Sequence, residues 1–226
     1  MDQDRHGERL RYQATLGELL TDAASGRFPP ADGGVTVLLQ PSERDCGVLG
    51  FTAHAVIFTD ADPEWVISQL RPGDLAGPLS SAFLQKLAIA TNRRAGSIDM
   101  LCCARSLPGP PPVQLASQPE STHPRVIRAL SYRDEVTAWN ADGGLVLIGR
   151  GVAGRLETAI EVDPARQGQG LGRRLAAAAR HLVPEGTLLW AQIAPANAAS
   201  VRAFLAAGFT PVGAEVLLAA ERDRDL

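Results

Sequence analysis

VDPARQGQGLGRRLAAAARHL occupies residues 162–182. It closes a run of strand formers, LETAIEV at 156–162, which Asp163-Pro164 stops, because proline fixes φ and has no amide to give a sheet ladder. Gly168, Gly170 and Gly172 follow, and then an alanine-rich helix. In that helix Leu171, Leu175, Ala178 and Leu182 fall on one apolar face, with Arg173, Arg174 and Arg180 on the others. The first turn of a helix carries unpaired N–H groups and the positive end of the helix dipole. Glycine lets the backbone approach an anion closely. Successive amides of such a loop can therefore wrap a pyrophosphate.

Two better-known loop grammars fail here. A P-loop needs GxxxxGK[ST], and the one lysine of the chain, Lys86, lies far away. A dinucleotide fingerprint needs GxGxxG, and Arg173 stands where its third glycine belongs. What remains is Gln167-Gly168-Gln169-Gly170-Leu171-Gly172 opening a helix, or a glycine-rich turn with no ligand.

Outward from the loop, GTLLWAQIA (186–194) reads as a strand, NAASVRAFLAAG (197–208) as a helix and FTPVGAEVLLA (209–219) as a strand. Strand, helix, strand implies a parallel pair with a crossover. On the N-terminal side, RVIRALSYRDEVTAWN (125–140) and GGLVLIGRGVAG (143–154) read as successive strands. SLPGPPPVQLASQPESTHP (106–124) is proline-dense and is read as a domain boundary or a long surface loop. Before it lie a helix with Leu10, Leu16, Leu19 and Leu20 on its apolar side, strands at 34–41 and 47–60, a helix capped by Asp62-Pro63, a helix at 80–94 and a buried strand, GSIDMLCCAR (96–105).

Bulk properties narrow the class. The chain has 226 residues, net charge −3 and 45% hydrophobic residues, an ordinary globular balance with no nucleic-acid signature. No apolar run is long enough to span a membrane, and the charged N-terminus lacks a secretory core. Cys46, Cys102 and Cys103 have neither disulfide nor zinc spacing, so no metal and a reduced, cytoplasmic setting are expected.

IEVDPARQGQGLGRRLAAAA (160–179) followed by APANAASVRAFLAAGFTPVG (194–213) resembles the GNAT superfamily of N-acetyltransferases, over about Arg125 to Leu218. The resemblance implies an α/β fold with a mixed central sheet of the GNAT acyl-CoA transferase type in residues 121–226, preceded by a smaller α/β region, 1–120. That region is either a degenerate second copy of the fold or a part that shapes the acceptor pocket or a homodimer contact. The resemblance also implies two parallel strands that splay, Leu156–Val162 and Leu188–Ile193, with acetyl-CoA between them. The pantetheine arm pairs with Ile160, Glu161 and Val162. The diphosphate lies on Gln167, Gly168, Gln169, Gly170, Leu171, Gly172 and Arg173. Asn197 reaches the cofactor arm or caps its helix. Phe204 stands where the family often has a tyrosine that protonates the leaving thiolate, so Ser200, a water or another group takes that role, or none does.

An attacking amine must first lose a proton. The strand before the loop offers Glu157 and Glu161, on one face by alternation unless a bulge intervenes. Glu157, deeper along the strand, is the preferred base. A backbone N–H near Glu161 or Val162 would hold the oxyanion. Trp139 is a candidate pocket wall, while His54 and His181 read as structural. The function implied is acetyl transfer from acetyl-CoA to a primary amine of a small molecule or peptide; an acyl-CoA-binding regulatory module is the alternative.

Overall fold

The computed structural model describes residues 15–118 and 121–220. The chain runs α1 (Leu16–Ala24), β1 (Val35–Leu39), β2 (Gly47–Phe51), β3 (His54–Thr59), α2 (Pro63–Ser68), α3 (Ser81–Ala90), β4 (Arg93–Ala95), β5 (Asp99–Arg105) and β6 (Ala116–Ser117). It continues α4 (Pro124–Leu130), β7 (Asp134–Ala141), β8 (Gly144–Arg150), β9 (Leu156–Val162), α5 (Leu171–Ala179), β10 (Leu188–Ile193), α6 (Ala198–Ala206) and β11 (Thr210–Ala220). Thr15 opens α1 with a capping box to Glu18, and Asp62 caps α2 ahead of Pro63. Leu10, expected in the first helix, lies outside the described residues.

The strands form one mixed sheet in the order β1-β3-β2-β11-β5-β10-β9-β8-β7-β6, with β4 on the far end of β11. β5 comes from the N-terminal half, yet it runs antiparallel between β10 and β11 of the C-terminal half. Leu101 and Cys102 on it are fully buried. The sheet is thus continuous across residue 120. The proline-rich segment lies along it: Leu107 N–H donates to Arg180, Gln118 N–H donates to Ala138, and Val113 and Leu115 pack on the core under α5.

α5 and α6 cover one face through Leu171, Leu175, Ala176, Ala179 and Phe204. α4 covers the other through Val126 and Ala129, against Ala138, Leu145 and Leu147. α4 corrects the strand expected from residue 125. His123 is its N-cap and Pro124 its first residue, and Val126 and Ala129, three apart, face the core. Gly208 takes φ +85° just past α6, and Phe209 N–H bonds back to the Phe204 carbonyl, a Schellman ending.

Among the described residues, no helix is long and apolar enough to cross a membrane. Cys46, Cys102 and Cys103 are free and buried. Burial pushes the thiol of Cys102 up to about 12 and that of Cys103 to about 11, so neither is a thiolate near neutral pH. Native protein is expected to leave Ellman's reagent unreacted at pH 8, and all three thiols to react in guanidinium. Rapid labelling of one native thiol would refute this packing.

Candidate active site

β9 and β10 run parallel but share only two register positions, Leu156 with Leu189 and Glu157 with Trp190. Beyond them the strands part, as expected. On its other side β9 stays paired to β8 without interruption from Leu156 to Val162, so no bulge disturbs its alternation. The edge of β9 that faces the gap therefore has no strand partner after Glu157. Two side chains reach it: Arg125 donates to the Ile160 carbonyl at 3.4 Å, and Gln167 Nε2 donates to the Val162 carbonyl at 3.3 Å.

The gap continues into a cleft of about 740 Å³. Thr158 and Ile160 of β9, Gln192 and Ile193 of β10, and Asn197, Ser200 and Phe204 line it. Arg94, Asp99, Arg128, Tyr132 and Glu215 line it too, with Glu215 hydrogen-bonded to Gln192. Arg94, Tyr132, Leu217 and Ala219 also line an adjoining cleft of about 890 Å³ beside Arg44 and Asp134. Trp139, expected as a pocket wall, lies instead on a shallow groove with Pro110, Pro111 and Pro112. Its strand, β7, is two places from β9 in the sheet, and Trp139 does not line the cleft.

The glycine loop ends in Gly170, at φ +76°, which is the N-cap of α5 and offers no side-chain acceptor. Gly168 also takes a left-handed φ of +74°. Both positions strain any residue with a Cβ. Gln167 is drawn to Val162, and Gln169 to the Ala165 carbonyl at 3.1 Å. The first-turn amides of Leu171, Gly172 and Arg173 are thus left without a side-chain cap, and Arg173 is exposed beside them. Asn197 caps α6 by accepting from Ser200 N–H at 3.0 Å and also lines the cleft. Phe204 is buried edge-on to Phe209, with ring centroids 5.0 Å apart. Tyr132, between α4 and β7, brings into the cleft a phenol that the sequence reading passed over.

The structure moves the two expected bases apart. Glu161 is exposed, with His123 Nε2 4.0 Å from its carboxylate. Glu157 is buried and does not line the cleft. Its Oε1 accepts from Arg155 at 2.8 Å and from Val152 N–H at 3.3 Å; its Oε2 accepts from Arg133 at 2.7 Å. Gly151 packs so closely that a Cβ there would lie 2.1 Å from this carboxylate. Burial alone would raise the Glu157 carboxyl, but the charges and hydrogen bonds of Arg155 and Arg133 hold it below the ordinary glutamate value. A carboxylate so fully partnered is a poor proton acceptor, and Glu157 is better described as structural.

Glu157 belongs to a closed ring at the parting of the strands. Arg155 bridges Glu157 and Glu215, the latter at 2.6 Å. Gln192 Nε2 donates to the same Glu215 oxygen, Oε2, at 2.5 Å, and Arg133 joins Gln192 Oε1 at 3.1 Å to Glu157. Arg155 also lies over the Trp190 ring at 5.4 Å. Among the described residues, Glu215 Oε1 and Arg155 Nη1 are buried without a partner, and of these two residues only Glu215 lines the cleft.

The parted parallel strands of the mixed sheet, beside a helix that opens on bare amides, are what the GNAT resemblance implied. Residues 124–209 match the Acetyltransferase (GNAT) family, and the C-terminal half of the chain carries that domain. No curated protein matches the chain. Similar solved structures include a GCN5-related N-acetyltransferase from Kribbella flavida, at 17% identity, covering 62% of this chain and 64% of that one, with TM-score 0.40. An acetyltransferase of the GNAT family from Colwellia psychrerythraea is similar at 10% identity, covering 62% and 63%, with TM-score 0.39. A tandem GNAT protein from the clavulanic acid biosynthesis pathway, solved without AcCoA, is similar at 13% identity, covering 62% and 59%, with TM-score 0.36. The chain covers less than two thirds of the length of each of these structures.

Proposed function

We propose that this protein transfers an acetyl group from acetyl-CoA directly to a primary amine of a small molecule or peptide. One observation carries the reading. The unpaired edge of β9 runs toward the uncapped first turn of α5, so a strand-like arm and a diphosphate are matched in sequence along one path. The family uses acyl-CoA in general. Its thioester supplies the activated acyl carbonyl. Ile160, Glu161 and Val162 would offer main-chain partners to the arm, once Arg125 and Gln167 release the Ile160 and Val162 carbonyls. Gln167 through Arg173 would hold the diphosphate, with the bare amides as donors. Asn197 and Phe204 would flank the arm. Holding both reactants in one cleft accounts for direct transfer without an acyl-enzyme. The buried, protonated thiols of Cys102 and Cys103 agree with that. Residues 1–120 would shape the acceptor side through Arg94 and Asp99, and a homodimer contact is a further role assigned to them.

Titration calorimetry with coenzyme A, paired with thiol release across an amine panel, tests this. Wild-type protein is expected to bind CoA and to release thiol when given acetyl-CoA and a suitable amine. Gly170→Val puts a β-branched residue at a left-handed φ, which costs about 1–2 kcal/mol, and crowds the amides. It is expected to weaken CoA binding tenfold or more. Unchanged binding in this variant would sink the assignment of the loop. Tight binding with no thiol release on any amine would instead favour the regulatory module, which the missing hydroxyl at Phe204 also suits.

A further inference from the structure

Resting on that reading, we infer that Glu215 is the residue that receives the acceptor's ammonium and takes its proton. Three independent features point to it. Its side chain is 1% exposed and yet lines the cleft. Oε2 is fixed from two sides by Arg155 and Gln192, which leaves no freedom to turn the carboxylate away. Oε1 is buried with no partner among the described residues. A bare carboxylate oxygen held rigid in a cleft is costly to maintain unless a ligand's donor meets it. Glu157, the other carboxylate of the ring, has both oxygens filled and faces away from the cleft.

The charges favour an amine that reacts as the free base: among the described residues the cleft lining sets Arg94, Arg125, Arg128 and Arg133 against Asp99 and Glu215, so a cation that enters gives up its proton readily. Asp99 is the direct cross-strand neighbour of Glu215 and adds a second carboxylate for attraction. Among the described residues, the remaining charged or titratable groups around the cleft are Arg94 on β4, Arg125 and Arg128 on α4, Tyr132 and Arg133 after α4, and Arg155 just before β9.

The step balances without any other reagent. One ammonium proton passes to Oε1 of Glu215. The freed nitrogen lone pair forms the C–N bond at the thioester carbonyl, and the C–S bond breaks. The second proton, now surplus on nitrogen, ends on the departing thiolate, and Glu215 returns its proton to water.

The test replaces Glu215 by Gln, which keeps the side chain's shape and a carbonyl for Arg155. With acetyl-CoA and an amine that the wild type accepts, kcat/KM is expected to fall on the order of 10²–10⁴-fold near neutral pH, a general base's contribution. CoA affinity by calorimetry should be unchanged. The variant's rate should climb about tenfold per pH unit toward the amine's own pKa, because only amine already deprotonated in water reacts. A second readout needs no turnover. Wild-type protein carrying ¹³Cδ-glutamate is titrated with n-propylammonium, and the Glu215 signal, identified by its loss in Glu215→Gln, should shift. Unaltered kcat/KM with a parallel pH profile, or a Glu215 signal indifferent to the ammonium, would overturn the assignment while leaving the acyltransferase reading intact. Failure of the wild type to bind CoA would remove that reading itself.

Discussion

Arg155→Met is expected to destabilise the protein by about 3–5 kcal/mol at pH 7, a large part of the 5–15 kcal/mol typical of a folded domain. Arg155 is buried and, among the described residues, is the only side chain that touches both buried glutamates, Glu157 and Glu215. Removing it leaves two carboxylates facing each other in a desolvated place, with Arg133 and Gln192 as their remaining side-chain partners. A denaturant midpoint at pH 7 measures the loss. The double variant Arg155→Met/Glu157→Leu should recover part of it, since the stranded charge goes with its partner, and the double-mutant cycle should return a coupling of about 0.5–3 kcal/mol. The pH dependence has a definite sign. Glu157's carboxyl lies lower in the folded state than its ordinary 4.5, so its contribution is present above about pH 4.5 and is lost as pH falls through the folded value. In the Arg155 variant that carboxyl loses the lowering influence of Arg155 and keeps only that of Arg133 against burial, so the stability gap between wild type and variant should narrow in acid. A gap that stays constant from pH 7 to pH 3 would show that the ring does not hold Glu157 ionised.

This ring was invisible in the sequence, and the reason is one of distance along the chain. Glu157 stood out because it precedes a recognisable loop. Glu215 sits in GAEVLLA, where one charge interrupts an apolar strand and reads as a solvated position. Nothing local says that Arg155 and Gln192 converge on it from 60 and 23 residues away. The glycine loop, the α5 face and the α6 ending were legible because each is fixed by neighbours within one or two turns. α4 was misread as strand because Val126, Ile127, Ala129 and Leu130 make an apolar cluster that periodicity assigns poorly over so few residues. The His123-Pro124 pair, an N-cap followed by proline at the first helical position, was the signal that would have corrected it.

The place of β5 was still less accessible, since strand order in a sheet is a property of the whole chain, and this leads to the second large effect. A fragment spanning residues 121–226 holds every motif of the glycine loop and its helix, and it matches the region in which a separate domain was expected. It is nonetheless expected not to fold alone. β5 pairs with β10 from Met100 to Arg105 and with β11 from Asp99 to Cys103. Without it, both strands lose a whole row of main-chain partners in the middle of the sheet, where water does not replace them. Leu101, Cys102, Cys103 and Ala104 leave a slot in the core, and burying a leucine alone contributes about 1.5–3 kcal/mol. Arg180, which donates to the carbonyls of Arg105 and Ala207, loses one of its two anchors. β10 and β11 are each antiparallel to β5 and so parallel to one another. If they closed the gap by pairing directly, Glu215 would have to leave Gln192 and Arg155, and the ring would break. Circular dichroism and gel filtration of the fragment should therefore show no cooperative melt, and co-expression with residues 1–118 should restore one. A fragment that melts cooperatively near the full chain's Tm would mean that β5 is dispensable, and that the boundary at residue 120 divides two independent folding units.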